Sequence, residues 1–415
     1  MQPVLIYLNL RRTPAEHRAA LEAARRQGYA VALITDKPAE APADLVEIVI
    51  RADTYDSAQV DAAVRQIASD RKIAGVVTWS DRDVEAVSRI AAQLGLPAAS
   101  PQAARIARNK ILMRQALADH PETIPVFARV NSWDDAAKAT TETGYPVVLK
   151  PTSASGSKGI FTCRNERELR DAYNQLIDLA QPEKDRIFSA HPGELIIEQY
   201  LDGTEHSVEG FVHQGQLFVA GVTDKQTSEP FKLETGHLHP SVLPSELLTR
   251  VKTLTSIVVS AFGLDNCTFH LECIISPRGT VKLVEAAARV GGDYITSHLV
   301  WLASGAPFYD NVIRVATGRS PELSDPYLTA GVRKLVAEVP GVLRGIHGIP
   351  DALCIPGVQH IVLEARPGME IGLPPADFKT SLLGAVIASG GTAQAVSSAL
   401  AQAVSAITVD IEESA

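Results

Sequence analysis

Through the first hundred positions, short unbroken apolar runs alternate with amphipathic stretches. VLIYLNL, YAVALIT, LVEIVI and IAGVVTW are compact apolar runs bounded by polar or turn residues, the pattern of buried strands. Between them AEHRAALEAARRQGY, DSAQVDAAVRQIASD and DRDVEAVSRIAAQLGL repeat apolar residues at helical spacing, and the first stops at Gly28. This alternation predicts a parallel sheet with helices on both faces. The first strand is not followed by GxGxxG, so a dinucleotide site of the usual kind is not supported.

That unit ends near Pro97–Pro101, and one helix is predicted from about Ala103 to Asp119. The period then changes. From Tyr145 to about Ala288, short strands joined by glycine-containing turns dominate (YPVVLK, GIFTC, ELIIEQYL, HSVEGFV, QLFVAGVT, FHLECII, VKLVEA), with helices near 165–180 and 244–263. Helices return between Asp293 and Gly318. From Gly331 onward, strands mix with a helix over TAQAVSSALAQAVSAI. The reading is α/β followed by α+β, divided as 1–102, 103–320 and 321–415.

A chain of 415 residues with 46% hydrophobic content can build two or three cores. No run of about 18 apolar residues predicts a membrane span. The N-terminus lacks the basic start and cleavage site of a signal peptide, so a cytoplasmic protein is expected. Cys163, Cys267, Cys273 and Cys354 form no CxxC pair, which argues for reduced thiols and against zinc. A net charge of −9 argues against a nucleic-acid partner, which would need a basic face.

The segment FHLECIISPRGTVKLVEAAARVGGD carries the most chemistry. Read as a hairpin with a two-residue turn at Arg278-Gly279, it pairs Pro277 with Thr280 and, stepping outward, Glu272 with Glu285 on the same face. Opposed like charges destabilise a sheet. A divalent cation between them removes the repulsion, and oxygen ligands suit Mg²⁺; an exposed acidic hairpin is the alternative. Arg289 follows, then Gly291-Gly292, with Asp293 placed to cap a helix. A guanidinium beside a helix N-terminus can hold a phosphate or a carboxylate.

YPVVLKPTSASGSKGIFTC reads as strand, small-residue loop, strand. Lys150 closes the first strand, and backbone N–H groups of a loop with Ser155, Gly156 and Ser157 can wrap phosphates, although flexible hairpin loops look similar. It is not a Walker A loop, because Gly-Ile and a strand follow Lys158 rather than Ser/Thr and a helix. In LIIEQYLDGTEHSVEGF, an apolar strand runs through Glu198, Tyr200 and Leu201 into a turn. Its backbone can read an adenine edge and Glu205 can hold ribose hydroxyls, or the segment is an ordinary strand-turn-strand.

Taken in order, RNKILMRQAL, the Lys150-Pro151 strand end, SASGSKG, EQYLDGTE and HLE…VEAAARVGGD resemble the ATP-grasp superfamily of carboxylate–amine ligases over nearly the whole chain. The resemblance implies a preceding α/β domain and two α+β lobes that grip ATP. It places Lys110 and Lys150 on the phosphates under the glycine loop. Glu198, Tyr200 and Leu201 would line the adenine site, with Glu205 on the ribose. Glu272 and Glu285 would bind Mg²⁺, with Mn²⁺ as a substitute, and Arg289 would contact the transferred phosphate. Where many members carry a metal-binding asparagine, this chain has Ala287. EAAARVGGD, Glu234-x-x-His237 and the C-terminal segment look like the L-amino-acid ligases that make dipeptides.

That resemblance implies amino acids as small-molecule partners, no nucleic acid or membrane, and a homodimer as the assembly left open. A carboxylate would be activated as an acyl-phosphate, and an amine, plausibly of a second amino acid, would attack it. Glu234 or His237 would accept or orient the amine proton. Asp81, at the carboxyl end of a parallel strand, approaches the first substrate or caps a helix. His298 shapes the pocket, with Gly291 and Gly292, or packs in the core. Two other readings stay open: a carboxylase or purine-pathway ligase using bicarbonate or another acid, and a non-catalytic nucleotide-binding protein.

Overall fold

The computed structural model describes residues 2–11, 13–37, 42, 44–154, 156, 158–377 and 379–413. Strands Val4–Leu8, Ala30–Thr35, Ile48–Arg51 and Ile73–Thr78 form a parallel sheet in the spatial order third, second, first, fourth. Every residue of Val4–Leu8 is buried, which explains its unbroken apolar run. The helices Pro14–Arg26, Ser57–Asp70 and Val84–Leu94 fall where the helical spacing predicts them. The loops after the first, second and fourth of these strands bring Arg11, Lys37 and Asp81 to one cleft, at the strand ends where open α/β sheets bind ligands.

The single helix expected from Ala103 to Asp119 is broken in two, Pro101–Ile106 and Lys110–Ala116. Asn109 causes the break. Its extended backbone leaves the helix, and its side chain accepts from the N–H groups of Ile111 at 2.9 Å and Leu112 at 3.2 Å. Lys110 thereby becomes the first residue of a new helix, and its own N–H is donated to the Thr152 carbonyl at 2.9 Å.

Phe127–Val130, Leu195–Gln199, Val147–Pro151 and Phe161–Cys163 make a four-stranded antiparallel sheet under helices Trp133–Thr143 and Glu166–Leu179. This lobe carries the glycine loop and has an apolar core of its own, including Val130, Leu149, Leu169 and Ile197. A lobe with a separate core can shift as a body without opening its neighbours. By contrast, Tyr7, Leu21 and Leu33 of the first domain share a core with Phe308, Ile313, Val332 and Ile387.

The largest sheet has eight strands, in the order Val281–Ala287, Cys267–Ile275, Thr204–His213, Gln216–Ser228, Leu233–His239, Thr329–Val336, Leu382–Gly390 and Val358–Leu363. Its last three strands lie beyond residue 320, so one continuous sheet joins the catalytic lobe to the C-terminal part through the pairing of Leu238 with Gly331. Helix Ala393–Ala406 packs on that end, and a three-stranded sheet of Glu370–Ile371, Gly341–His347 and Thr408–Glu413 lies beside it. Among the described residues, no helix is long and apolar enough to cross a membrane.

Two local expectations are corrected by the backbone. The acidic hairpin turns through three residues, not two: Ser276 donates its N–H to Thr280 at 2.9 Å, and Gly279 sits at φ 76°. That alone would shift the register, with Cys273 facing Leu283. A bulge between Leu283 and Glu285 restores it, so Glu272 faces Glu285 as expected. The extra residue is Val284, whose carbonyl accepts from Arg114 Nη2 at 2.7 Å. Nor does Asp293 cap a helix. Asp293 and Tyr294 both adopt left-handed backbone, at φ 52° and 67°, and a π-turn follows over Ile295–Leu299. Consecutive non-glycine residues in that region are strained by about 1–3 kcal/mol each, and such strain concentrates at functional sites.

Candidate active site

A cleft of about 430 Å³ lies where the parallel sheet, the glycine-loop lobe, the acidic hairpin and the C-terminal strands meet. Glu272 and Glu285 line it side by side. In the cleft each carboxylate already holds cations. Glu285 Oε2 lies 2.7 Å from Lys110 Nζ, which also donates to the Ala154 carbonyl of the glycine loop at 3.0 Å. Glu272 Oε1 accepts from Lys225 Nζ at 2.5 Å and lies 3.0 Å from His270 Nε2. Behind it, His270 Nδ1 lies 2.7 Å from Glu209 Oε1.

Burial opposes charge on every member of this chain, and pairing outweighs it. Against burial, Lys225 and then His270 hold Glu272 well below the usual carboxylate range. Against burial, Glu209 and Glu272 push His270 up to about 9. Glu234 and Glu272 likewise raise Lys225 well above an ordinary lysine. Two facing carboxylates on adjacent strands are hard oxygen donors and fit Mg²⁺ or Mn²⁺. Ala287 stands opposite His270 and contributes no further side-chain donor.

Arg289 is fixed from both ends. Its Nη1 donates to the Val290 carbonyl at 2.7 Å and its Nη2 to Asp81 Oδ2 at 2.8 Å. Arg108 reaches the other Asp81 oxygen at 3.5 Å. Burial would raise the Asp81 carboxyl, but Arg289 and then Arg108 hold it well below the usual range. Asp81, expected to approach a substrate amine or cap a helix, caps none; it lines the cleft and holds Arg289. The physical reason is charge: two guanidinium groups already occupy the carboxylate.

Lys150 closes its strand as expected and lines the cleft, 2.7 Å from Glu198. Glu198 keeps its side chain for ion pairs, so the adenine contact expected of this segment falls to its backbone. Its side chain is buried between Lys150 and Arg114, the latter also at 2.7 Å, because an unpaired guanidinium there would be too costly. Tyr200, Leu201 and Glu205 are partly buried but do not line the cleft. The Tyr200 hydroxyl accepts from Lys232 at 3.4 Å, and burial raises the Glu205 carboxyl. Gly156 lines the cleft at φ 68°, whereas Ser155 and Ser157 lie outside the described residues.

Glu234, His237 and Asp293 form a second cluster, with ligand atoms within 4.8 Å of one another. Glu234 and Asp293 line the cleft. His237 Nε2 is 3.1 Å from Glu234 and 3.6 Å from Asp293. Against burial, Asp293 and Glu234 raise His237. Lys225 bonds Glu234 at 2.9 Å and Lys334 bonds Asp293 at 2.6 Å. Each carboxylate keeps oxygen lone pairs beyond the one its lysine occupies, so a substrate amine can share protons with them. His298, read as either a pocket residue or a core histidine, is buried off the cleft, as the second reading has it. It bonds Ser297 Oγ at 2.8 Å and packs edge-on against His360, and burial pushes it down to about 4.

Gly292 lines the cleft, and Gly291 backs it. A Cβ on Gly291 would stand 2.7 Å from Glu209 Oε2, a buried atom on a carboxylate already tied to His270. Gly291→Ala is expected to lower the melting temperature by the equivalent of about 1–3 kcal/mol and to cut turnover by displacing the Glu209–His270–Glu272 chain. Wild-type melting and turnover would refute this packing.

The ATP-grasp domain matches residues 143–297, the ATP-grasp N-terminal domain residues 21–98, and the L-amino acid ligase C-terminal domain 2 residues 333–412. The chain belongs to the ATP-grasp superfamily. Among relatives, alanine–anticapsin ligase of Bacillus subtilis is 27% identical over 67% of this chain and 61% of that protein. Carnosine synthase 1 of Gallus gallus is 27% identical over 80% of this chain and 37% of that protein. The chain thus spans less than two thirds of either relative. The crystal structure of an L-amino acid ligase from Bacillus licheniformis superposes over 100% of both chains, with a TM-score of 0.83 at 21% identity.

Lys225, His270, Glu209, Arg108, Arg11 and Lys334 were not marked from sequence. His270 offered a signal: it sits two positions before Glu272, on the same strand face. The others come from distant segments and carry no local pattern.

Proposed function

We propose that this protein is an ATP-dependent carboxylate–amine ligase that joins two amino acids through an acyl-phosphate, releasing ADP and phosphate. One observation carries the reading: Glu272, Glu285, Lys110, Lys150 and Arg289 line one cleft with Glu234 and Asp293. Phosphoryl transfer needs positioning and charge neutralisation more than covalent help from the protein, and the first set supplies both. Glu272 and Glu285 would hold Mg²⁺, which when bound neutralises negative charge on the phosphates.

Lys150 and Arg289 bind phosphoryl oxygens. Lys110, which lines the cleft beside Glu285, would bind a phosphate oxygen there. The first substrate's carboxylate oxygen attacks the γ-phosphorus of ATP, and the bond to ADP breaks. The glycine-loop lobe excludes water from the acyl-phosphate. The second amine then attacks the acyl carbon and expels phosphate, while Glu234 or His237 takes the amine proton. The relatives named for joining alanine to anticapsin and for making carnosine support amino-acid substrates.

The test is phosphate release with ATP and Mg²⁺, and separately Mn²⁺, across a matrix of amino-acid pairs, with products identified by mass. At least one pair should give a dipeptide and stoichiometric phosphate. ADP release that depends on bicarbonate, or no release with any pair, would sink the reading.

A further inference from the structure

Of the two cations, Arg11 and Lys37, that the parallel-sheet domain brings to the cleft among the described residues, Lys37 is exposed and Arg11 is held by partners, and the reaction as derived gives Arg11 no task. It follows the strand Val4–Leu8 at its ligand-binding end. Its side chain is 12% exposed, and Nε pairs with Glu16 Oε1 at 3.0 Å. Nη1 donates to the Gly291 carbonyl at 3.1 Å, the residue after the Val290 carbonyl that Arg289 grips at 2.7 Å. Two guanidinium groups therefore hold successive carbonyls of one segment.

Nη2 of Arg11 has no hydrogen-bond partner among the described residues. A Cβ on Gly292 would crowd it at 3.2 Å, and both residues line the cleft, so the absence of a side chain there leaves room beside Nη2. Arg289 and Asp293 both lie within electrostatic reach of Arg11. An anion seated on Nη2 would relieve the repulsion between the two guanidinium groups. Asp293 and Glu234 meanwhile offer negative charge to an ammonium in the same cleft. An α-amino acid carries those two charges one carbon apart.

We propose that Arg11 binds the free α-carboxylate of the second, amine-donating amino acid, with Gly292 kept side-chain-free to admit it. This rests on the ligase reading above. Arg289 is committed to Val290, Asp81 and the phosphoryl group, and Lys334 to Asp293, so neither offers the same open donor. The acceptor would then need a free carboxylate, and a plain amine would be a poor substrate.

The test uses the acceptor amino acid that the pair matrix selects, together with the same acceptor as its primary carboxamide. Arg11→Gln and Arg11→Lys are compared with wild type in the full chain. Arg11→Gln should raise KM for the amino acid about 10- to 100-fold and leave KM for ATP within about 2-fold. It should act on the carboxamide as wild type does, within about 3-fold. Arg11→Lys, which keeps the charge and loses the fork, should fall between the two. Melting curves within a few degrees of wild type establish folding, and Arg11→Lys carries the test if Arg11→Gln melts early.

Equal losses with acid and carboxamide would assign Arg11 to structure and overturn the proposal. A rise in KM for ATP alone would assign it to the phosphates, with the same consequence. Peptide synthesis indifferent to both variants refutes Arg11 only. A wild-type enzyme that makes no amide with any pair refutes the ligase reading and Arg11 with it.

Discussion

Glu285→Gln should lower turnover by at least about 10³-fold, the scale of losing a preorganised charge-stabilising group at a transferring phosphoryl, while leaving the protein folded. The partner lost is Lys110, which retains its bond to the Ala154 carbonyl and stands at the cleft wall. Glu272→Gln should be equally inactive but less stable. Glu272 is held by both Lys225 and His270, and His270 is in turn fixed by Glu209. Neutralising it leaves a buried ammonium and a buried imidazolium short of a partner, which costs on the order of 3–5 kcal/mol. Phosphate release and a melting curve on both variants check this. Turnover within tenfold of wild type in Glu285→Gln would remove the metal-pair argument. Equal melting temperatures would show that the Lys225–Glu272–His270 chain does not contribute to stability.

Arg289→Met should reduce kcat by about 10³-fold or more, as removal of a guanidinium from a transferring phosphoryl group does, with KM for ATP changed only a few-fold. Arg289 does not hold the fold alone, since Asp81 keeps Arg108 at 3.5 Å when it is gone. Arg289→Lys should recover little. A lysine cannot reach Val290 and Asp81 together, and the present geometry uses both ends of the fork. Asp81→Asn should give a smaller loss, because it frees Arg289 without removing it. Stopped-flow phosphate release separates these effects. A kcat for Arg289→Met close to wild type would take Arg289 away from the phosphoryl group.

The parallel sheet was legible because strands covered on both faces must be apolar throughout, as Val4–Leu8 is, and because the intervening helices keep a 3.6-residue period. The helix break at Asn109 was not. Its side chain competes with the backbone for the same hydrogen bonds, and the Thr152 carbonyl that fixes Lys110 comes from another lobe. The acidic hairpin combines both lessons. Pairing Glu272 with Glu285 was readable from alternation, yet the turn is one residue longer than expected and the pair meets only because Val284 bulges. Arg114, far away in sequence, stabilises that bulge by taking the Val284 carbonyl.

The sequence by itself determined the order of the elements, the strand alternation that puts Glu272 and Glu285 on one hairpin, and the presence of Lys110, Lys150 and Arg289 in the pattern of an ATP-grasp chain. These follow from local periodicity and from short motifs, which neighbouring residues enforce. Only the tertiary structure decided the charge pairing. It put Glu198 between Lys150 and Arg114, turned Asp81 onto Arg289, set His298 within a π-turn off the cleft, and brought Arg11 against Gly291. A buried charge takes whichever counter-charge the fold places within reach, and sequence spacing carries no record of that choice.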